Sequence, residues 1–230
     1  MKIDFSRAAL LLLSLFPASM ACTAVPAAHG AEEYVYRQTT ASESTLFRWQ
    51  LETAEMVTIT SREEKVLYVN VCDASGATHT WRMQKEDAEV SAQRRENELH
   101  IRGTFAGEPI DEIFLLDEFP WFQPLSYSLR NFLLTGAAEK QVFWMIRPDK
   151  LKPQKFQASK QGVEAITIGT DSYQAVKIKI CPTGVLAGFW HAYYWFRPED
   201  GLFLRYEGTH GPPGTPKTVI SLAHPPSAHS

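Results

Sequence analysis

The residues of this chain that could do chemistry are adjacent carboxylates, scattered histidines, its cysteines and one glycine-rich loop. The carboxylate pairs are Asp111-Glu112, Asp117-Glu118 and Glu199-Asp200. A glycosidase sets two carboxylates across a cleft, whereas neighbours on a strand point to opposite faces. These pairs therefore read as turn charge, with Asp117 and Glu118 favouring the start of a nearby helix. His79, His100, His191, His210, His224 and His229 show neither an HExxH spacing nor a close Cys/His pair, so no metal set is expected. No G-x-S-x-G elbow occurs, and Cys72 and Cys181 lack a catalytic-cysteine context. The loop "GTHGPPGTPKT" (208–218) carries Pro212, Pro213 and Pro216, which lack the N–H groups of a phosphate cradle. No cofactor is expected.

Recognition chemistry is better represented. "GFWHAYYWFRPEDGLFLRYEG" (188–208) places Pro198 and Gly201 in a turn, so its flanks pair as a hairpin. On the first strand Trp190, Ala192, Tyr194 and Phe196 share one face, and Phe189, His191, Tyr193, Trp195 and Arg197 the other. Both faces are aromatic. One builds the core; the second, near Arg205 and Glu207, needs a cover or a ligand. A cover would come from a helix at 124–134 or a neighbouring loop. A ligand would be apolar, with Tyr and Trp tips at the rim. The residues expected to line such a site are Trp121, Phe122, Leu129, Phe132, His191, Tyr193 and Trp195.

The elements that must position these groups are mostly strands. Of 230 residues, 44% are hydrophobic and 21% charged, which suits one domain with one sizeable core. From Tyr34 onward, short runs rich in Val, Ile, Thr and aromatics alternate with Gly, Asp, Asn or Pro, predicting consecutive antiparallel hairpins in a barrel or strongly curved sheet. The runs include Gln154–Lys160, Glu164–Ile168 and Leu186–Arg197. In "SYQAVKIKIC", Val176, Ile178 and Ile180 share a core face, while Lys177 and Lys179 lie on a wet one. One segment breaks the pattern: Leu125, Leu129, Phe132 and Leu133 fall at i, i+4, i+7 and i+8, an amphipathic helix with Pro124 in its first turn and Gly136 at C′. A lone helix of about 11 residues is marginal in water; it must lie on the sheet or across a barrel mouth. The fold class expected is mainly β, with one amphipathic helix, in a single domain over 32–222.

The first residues set the compartment. "MKIDFSRAALLLLSLFPASMAC" has Lys2 and Arg7 before an apolar run from Ala8 to Phe16, then Pro17 and small residues, the order of a secretory signal peptide. The run falls short of the roughly 20 apolar residues of a membrane span. Cleavage after residue 21 would leave Cys22 as an acylation site, although Ser19 stands where a lipobox carries Leu. Cleavage as late as residue 31 would discard Cys22. The protein is expected in the periplasm, free or lipid-anchored to the envelope. There Cys72 and Cys181 either form a disulfide or remain buried thiols. The formal net charge is -3 and no basic stripe emerges, which argues against nucleic acid as a partner. The tail 223–230 is small, polar and Pro-rich, and reads as disordered.

"TIGTDSYQAVKIKI" (167–180), followed by Trp195, Phe196, Pro198, Glu199, Gly201, Leu202, Arg205, Tyr206 and Glu207, resembles the closing part of a group of exported bacterial β-proteins known only as a domain of unknown function. In that group a "V-P-A-G-T-F-x-A-y-K-v" segment precedes a "W-F-x-P-x-x-G-l-v-v-k-y-E" hairpin. The likeness covers about residues 166–208, and Gly169-Thr170-Asp171 replaces the usual Pro-Ala-Gly. It implies a periplasmic β-barrel-like domain with no catalytic residues to transfer. The plan is also similar to periplasmic lipoprotein carriers, which curve a sheet around an apolar cavity. Three functions follow in order: a non-enzymatic envelope protein binding a lipid or acyl chain beneath the helix, an interaction module for another envelope protein, and a carboxylate-dependent enzyme acting on envelope glycan.

Overall fold

A computed structural model describes residues 30–223, apart from 137, 189 and 210–214. The signal segment, Cys22 and the tail from 224 onward lie outside the described residues. Eight strands come first: β1 (Gly30–Thr40), β2 (Glu43–Thr53), β3 (Val57–Arg62), β4 (Val66–Cys72), β5 (Thr78–Lys85), β6 (Ala88–Arg95), β7 (Glu98–Phe105) and β8 (Glu108–Leu115). The helix α1 (Leu125–Leu134) follows, then β9 (Lys140–Arg147), β10 (Lys152–Ile168), β11 (Asp171–Pro182), β12 (Ala192–Phe196), β13 (Phe203–Thr209) and β14 (Lys217–Leu222).

All fourteen strands form one antiparallel sheet in the order β8-β7-β6-β5-β4-β3-β2-β1-β14-β13-β12-β11-β10-β9. Every pair of consecutive strands is hydrogen-bonded except β8 and β9, the two edges, between which α1 is inserted. The two meanders join where β1 pairs with β14. The result is a curved sheet that does not close into a barrel.

Alternation along the strands sets the faces. In β11 Val176, Ile178 and Ile180 are buried while Lys177 and Lys179 are half-exposed, and in β7 Leu99 and Ile101 are fully buried. Two of the expected strand runs need correction. The runs 154–160 and 164–168 are a single strand, β10, because Gly162, at φ +101°, forms a bulge within it rather than a turn. The run expected over Leu186–Arg197 contracts to β12, since Gly184 at φ +73° first winds the chain into a 3-10 turn over Gly184–Leu186.

The chain between β8 and α1 serves as a strap across the gap between the sheet's wings. The Trp144 N–H donates to the Pro120 carbonyl and the Phe122 N–H to the Trp144 carbonyl, both at 2.8 Å, so β9 is partly paired on its outer side. On the other wing the Thr78 N–H donates to the Trp121 carbonyl at 2.7 Å, and Arg94 donates to the carbonyls of Phe119 and Asp117. Gln123 completes the seam: its Oε1 accepts from Trp121 Nε1 and from the Ile146 N–H, each at 3.0 Å. Asp117 belongs to this strap, accepting from Trp144 Nε1 at 2.7 Å and pairing with Lys155. It does not sit at the helix start, and Asp111-Glu112 lie within β8 rather than at a turn.

Under the strap α1 turns Leu125, Tyr127, Ser128, Leu129 and Phe132 into the main core. Pro124 stands at its N-cap, and Gly136 follows Thr135 in the left-handed region at φ +66°. Two turns from opposite wings hold it. Ser128 Oγ donates to the Gly76 carbonyl at 2.7 Å on one side; Arg130 Nε donates to the Asp200 carbonyl at 2.9 Å on the other. Arg130 Nη1 also donates to both carboxylate oxygens of Glu32 on β1, at 3.0 and 2.9 Å. A short helix, too weak alone, is thereby fixed across the concave face.

Candidate functional site: an aromatic cavity beneath the helix

Between α1 and the concave face lies a cavity of about 360 Å³. Strands near the sheet centre supply Tyr36, Phe47, Trp49 and Ile59; the following wing supplies Tyr194, Phe203, Tyr206 and Ile220; Leu125 and Ser126 contribute from the helix. The rings are closely packed. Tyr36 stacks on Phe47 with centroids 5.5 Å apart and tilts against Phe203 at 5.2 Å, while Tyr194 meets Tyr206 edge-on at 5.0 Å. Tyr36 also donates its hydroxyl to the Phe203 carbonyl at 2.9 Å, tying β1 to β13.

Among the described residues the wall carries no Asp, Glu, Lys, Arg or His. Burial pushes the phenols of Tyr36 and Tyr194 well above their ordinary value and that of Tyr206 to about 12, so the tyrosines are neutral near neutrality. Ser126 Oγ accepts from Trp49 Nε1 at 3.1 Å and has no base beside it among the described residues. Among the described residues no group of three or more His, Cys, Asp or Glu could hold a metal. What this arrangement can do is bury apolar surface, with a few neutral polar atoms to orient it.

None of the seven residues expected from the sequence lines this cavity. Trp121 is fully buried in a second core with Trp81, Val90 and Ile101. Phe122 stacks on Phe143 at 5.2 Å, and Leu129 and Phe132 are buried under the helix. His191, Tyr193 and Trp195 do come together, on the outer face of the sheet, with His191 edge-on to Tyr193 at 5.2 Å and Tyr193 at 5.9 Å from Trp195. Their cover is cationic. Lys177 stands 4.6 Å over Tyr193 and 5.1 Å over Trp195, Arg205 lies 5.8 Å from Trp195, and Trp195 Nε1 donates to Glu164 at 2.6 Å. This shell leaves Trp195 only 4% exposed. The helix covers the opposite face, where Tyr194 lies.

Sequence reasoning missed Tyr194, Tyr36, Phe47 and Phe203. A usable signal lay in the hairpin register. Tyr193 pairs with Glu207 and Trp195 with Arg205, whereas Tyr194 pairs with Tyr206 and Phe196 with Phe203. Charged partners mark the wet face and aromatic partners the enclosed one.

Cys72 and Cys181 are free thiols, and the disulfide considered above is not formed. Cys72 lies in the main core, with Sγ 3.7 Å from Thr78 Oγ1. Cys181 alternates with the core residues Ile180 and Pro182 and shares the outer face with Lys177 and Lys179, so the two sulfurs point to opposite sides of the sheet.

No protein-family model and no curated protein matches the chain. Among solved structures it is similar to a β-barrel-like protein of a domain of unknown function, DUF1849, from Brucella abortus, at 9% identity and a TM-score of 0.57, covering 83% of this chain and 94% of that one. A LolA superfamily protein from Nitrosomonas europaea aligns at 9% identity over 85% of this chain and 84% of its own, with a TM-score of 0.22. At such identities the comparison concerns fold alone, and the resemblance drawn from residues 166–208 to bacterial β-domains of unknown function is matched at that level by the Brucella protein.

Proposed function

We propose that this chain is a non-enzymatic envelope protein that carries an apolar or amphipathic ligand, a lipid or acyl chain, in the cavity beneath α1. The observation that carries the reading is an uncharged, aromatic-lined cavity of about 360 Å³, within the roughly 300–1,000 Å³ of small-molecule sites. Well-packed cores leave few voids larger than a water molecule, and a surface of this kind is stabilised when an apolar guest replaces water. The helix supports the reading as a lid, since polar tethers at Ser128 and Arg130 hold it to the turns and to β1. The envelope location rests on the signal-like segment at the N-terminus.

The test is the mass of the protein taken from its native envelope, under native and then denaturing conditions. A species of lipid-like mass lost on denaturation is the expected result; a bare chain would overturn the reading. A second reading, an interaction module for another envelope protein, draws support from β8. Among the described residues this edge strand pairs with β7 alone, and it shows Ile113 at 59% and Leu115 at 73% exposure. A stoichiometric protein in the same native spectrum would favour it.

A further inference from the structure

The cavity wall is mostly apolar and aromatic, with Ser126 and Gln123 as polar groups on the helix and strap side and a further polar cluster at the opposite corner. There Ile59 of β3, Asn70 of β4 and Trp81 of β5 form one cross-strand row, and Ser61 and Tyr68 form the next row along the same face. Ser61, Tyr68 and Asn70 all line the cavity. Asn70 is unusual among them. It is 4% exposed, between two core residues, and its Oδ1 is shielded from solvent without a hydrogen-bond partner among the described residues. Among the described residues its amide donates to the Ile59 carbonyl alone, at 3.5 Å, the outer limit of a hydrogen bond. Exchanging the carboxamide's oxygen and nitrogen would set two acceptors against each other at Ile59, so the free atom is the oxygen.

An unpartnered buried carbonyl is costly, more so than the average gain from making a hydrogen bond. In a neutral wall it can be relieved only by a donor. Oδ1 is closed to solvent as it stands, so a donor in the cavity reaches it by rotation of the carboxamide, whose χ2 torsion is broad and two-fold, at the expense of the marginal Ile59 contact. Resting on the carrier reading above, we infer that the ligand is an amphipathic chain whose polar group is an uncharged hydrogen-bond donor, a hydroxyl or an amide N–H, seated on Asn70 Oδ1 beside Ser61 and Tyr68. An ionised carboxylate is selected against. It offers only acceptors, faces Asn70 Oδ1 with like polarity, and finds no cationic partner in the wall.

The experiment is a calorimetric or tryptophan-fluorescence titration of the purified chain with decanol, decyl methyl ether and decanoate at pH 8, which share a chain and differ in the head. Decanol should bind about ten-fold tighter than either of the others, the range expected for satisfying a buried acceptor. In Asn70→Leu decanol should weaken and the ether tighten until the two match. Equal binding of all three probes by the wild-type chain overturns the inference and leaves the carrier reading standing, as does a decanol preference that survives Asn70→Leu. Failure of every probe to bind overturns both.

Discussion

Ser128 on α1 and Gly76 in the β4–β5 turn are locked face to face. The serine hydroxyl donates to the glycine carbonyl at 2.7 Å, and a Cβ added to Gly76 would stand 3.0 Å from Ser128 Cα. Gly76 also holds φ at +88°, where an L side chain is strained. Ser128→Ala should cost about 1–3 kcal/mol by orphaning a buried carbonyl. Gly76→Ala should cost about 1–3 kcal/mol through strain and displacement of the helix. Because both act on one contact, the double variant should lose less than the two costs combined. Urea unfolding midpoints of the three variants check this, and full additivity would mean that the two sites are not coupled.

Acid should loosen the helix's supports. Arg197 donates to Asp200 and holds its carboxyl below the ordinary value, despite partial burial. Burial pushes Asp73 upward, but hydrogen bonds from Ser75, His79 and the Ala77 N–H outweigh it, so this pKa is lowered too. A lowered folded-state pKa gives stability that is present above the unfolded value, about 3.9, and is lost as pH falls through the folded value. The unfolding midpoint should therefore change little on these groups' account between about pH 7 and pH 5 and fall below about pH 4. Asp200→Asn should be less stable at neutral pH and show a shallower acid decline. Parallel acid curves for variant and wild type would remove Asp200 from the explanation.

The two cysteines should differ sharply in reactivity. Burial pushes the Cys72 thiol up to about 12, and its sulfur lies in the core beside Thr78. The reactive species is the thiolate, so Cys72 should stay unlabelled by iodoacetamide at pH 8 until the chain is unfolded. Cys181, half-buried on the outer face, should be labelled in the native protein. Mass spectrometry of peptides labelled with and without denaturant decides the matter. Equal labelling of the native thiols would contradict the burial of Cys72, and loss of both thiol hydrogens would show a bond across the sheet after all.

The fold was legible because its signals are local. Alternation in β7 and β11, the turn at 198–201, and the i, i+4, i+7, i+8 apolar pattern of α1 each lie within a few residues. The cavity is not local. Tyr36 and Phe203, which meet in its wall, are 167 positions apart, and nothing in either neighbourhood specifies the other. Parity told which hairpin residues share a face, but the sign of curvature decides which face encloses space. Only the cross-strand register, with Trp195 opposite Arg205 and Tyr194 opposite Tyr206, resolves that choice. The strap 116–124 was equally hidden, since Gln123 and Asp117 act through partners on β9 and β10.

The two faces of β12 make separable predictions. Trp195 is covered outside by Lys177 and Arg205 and donates to Glu164, so Trp195→Leu should remove cation–π and hydrogen-bond contacts worth about 1–3 kcal/mol. It lies away from the cavity, so affinity for an apolar probe such as decanol should stay within about two-fold, a shift of less than about 0.5 kcal/mol. Ile220 faces the cavity on β14 and is half-buried. Ile220→Trp should fill existing space, change stability by about 1 kcal/mol or less, and lower probe affinity at least about ten-fold through lost volume. Unfolding curves and probe titrations on both variants form a crossed test: one loses stability and keeps binding, the other loses binding and keeps stability. If Trp195→Leu were the variant that lost the probe, the ligand would lie on the outer aromatic ladder and the cavity under α1 would be mere imperfect packing.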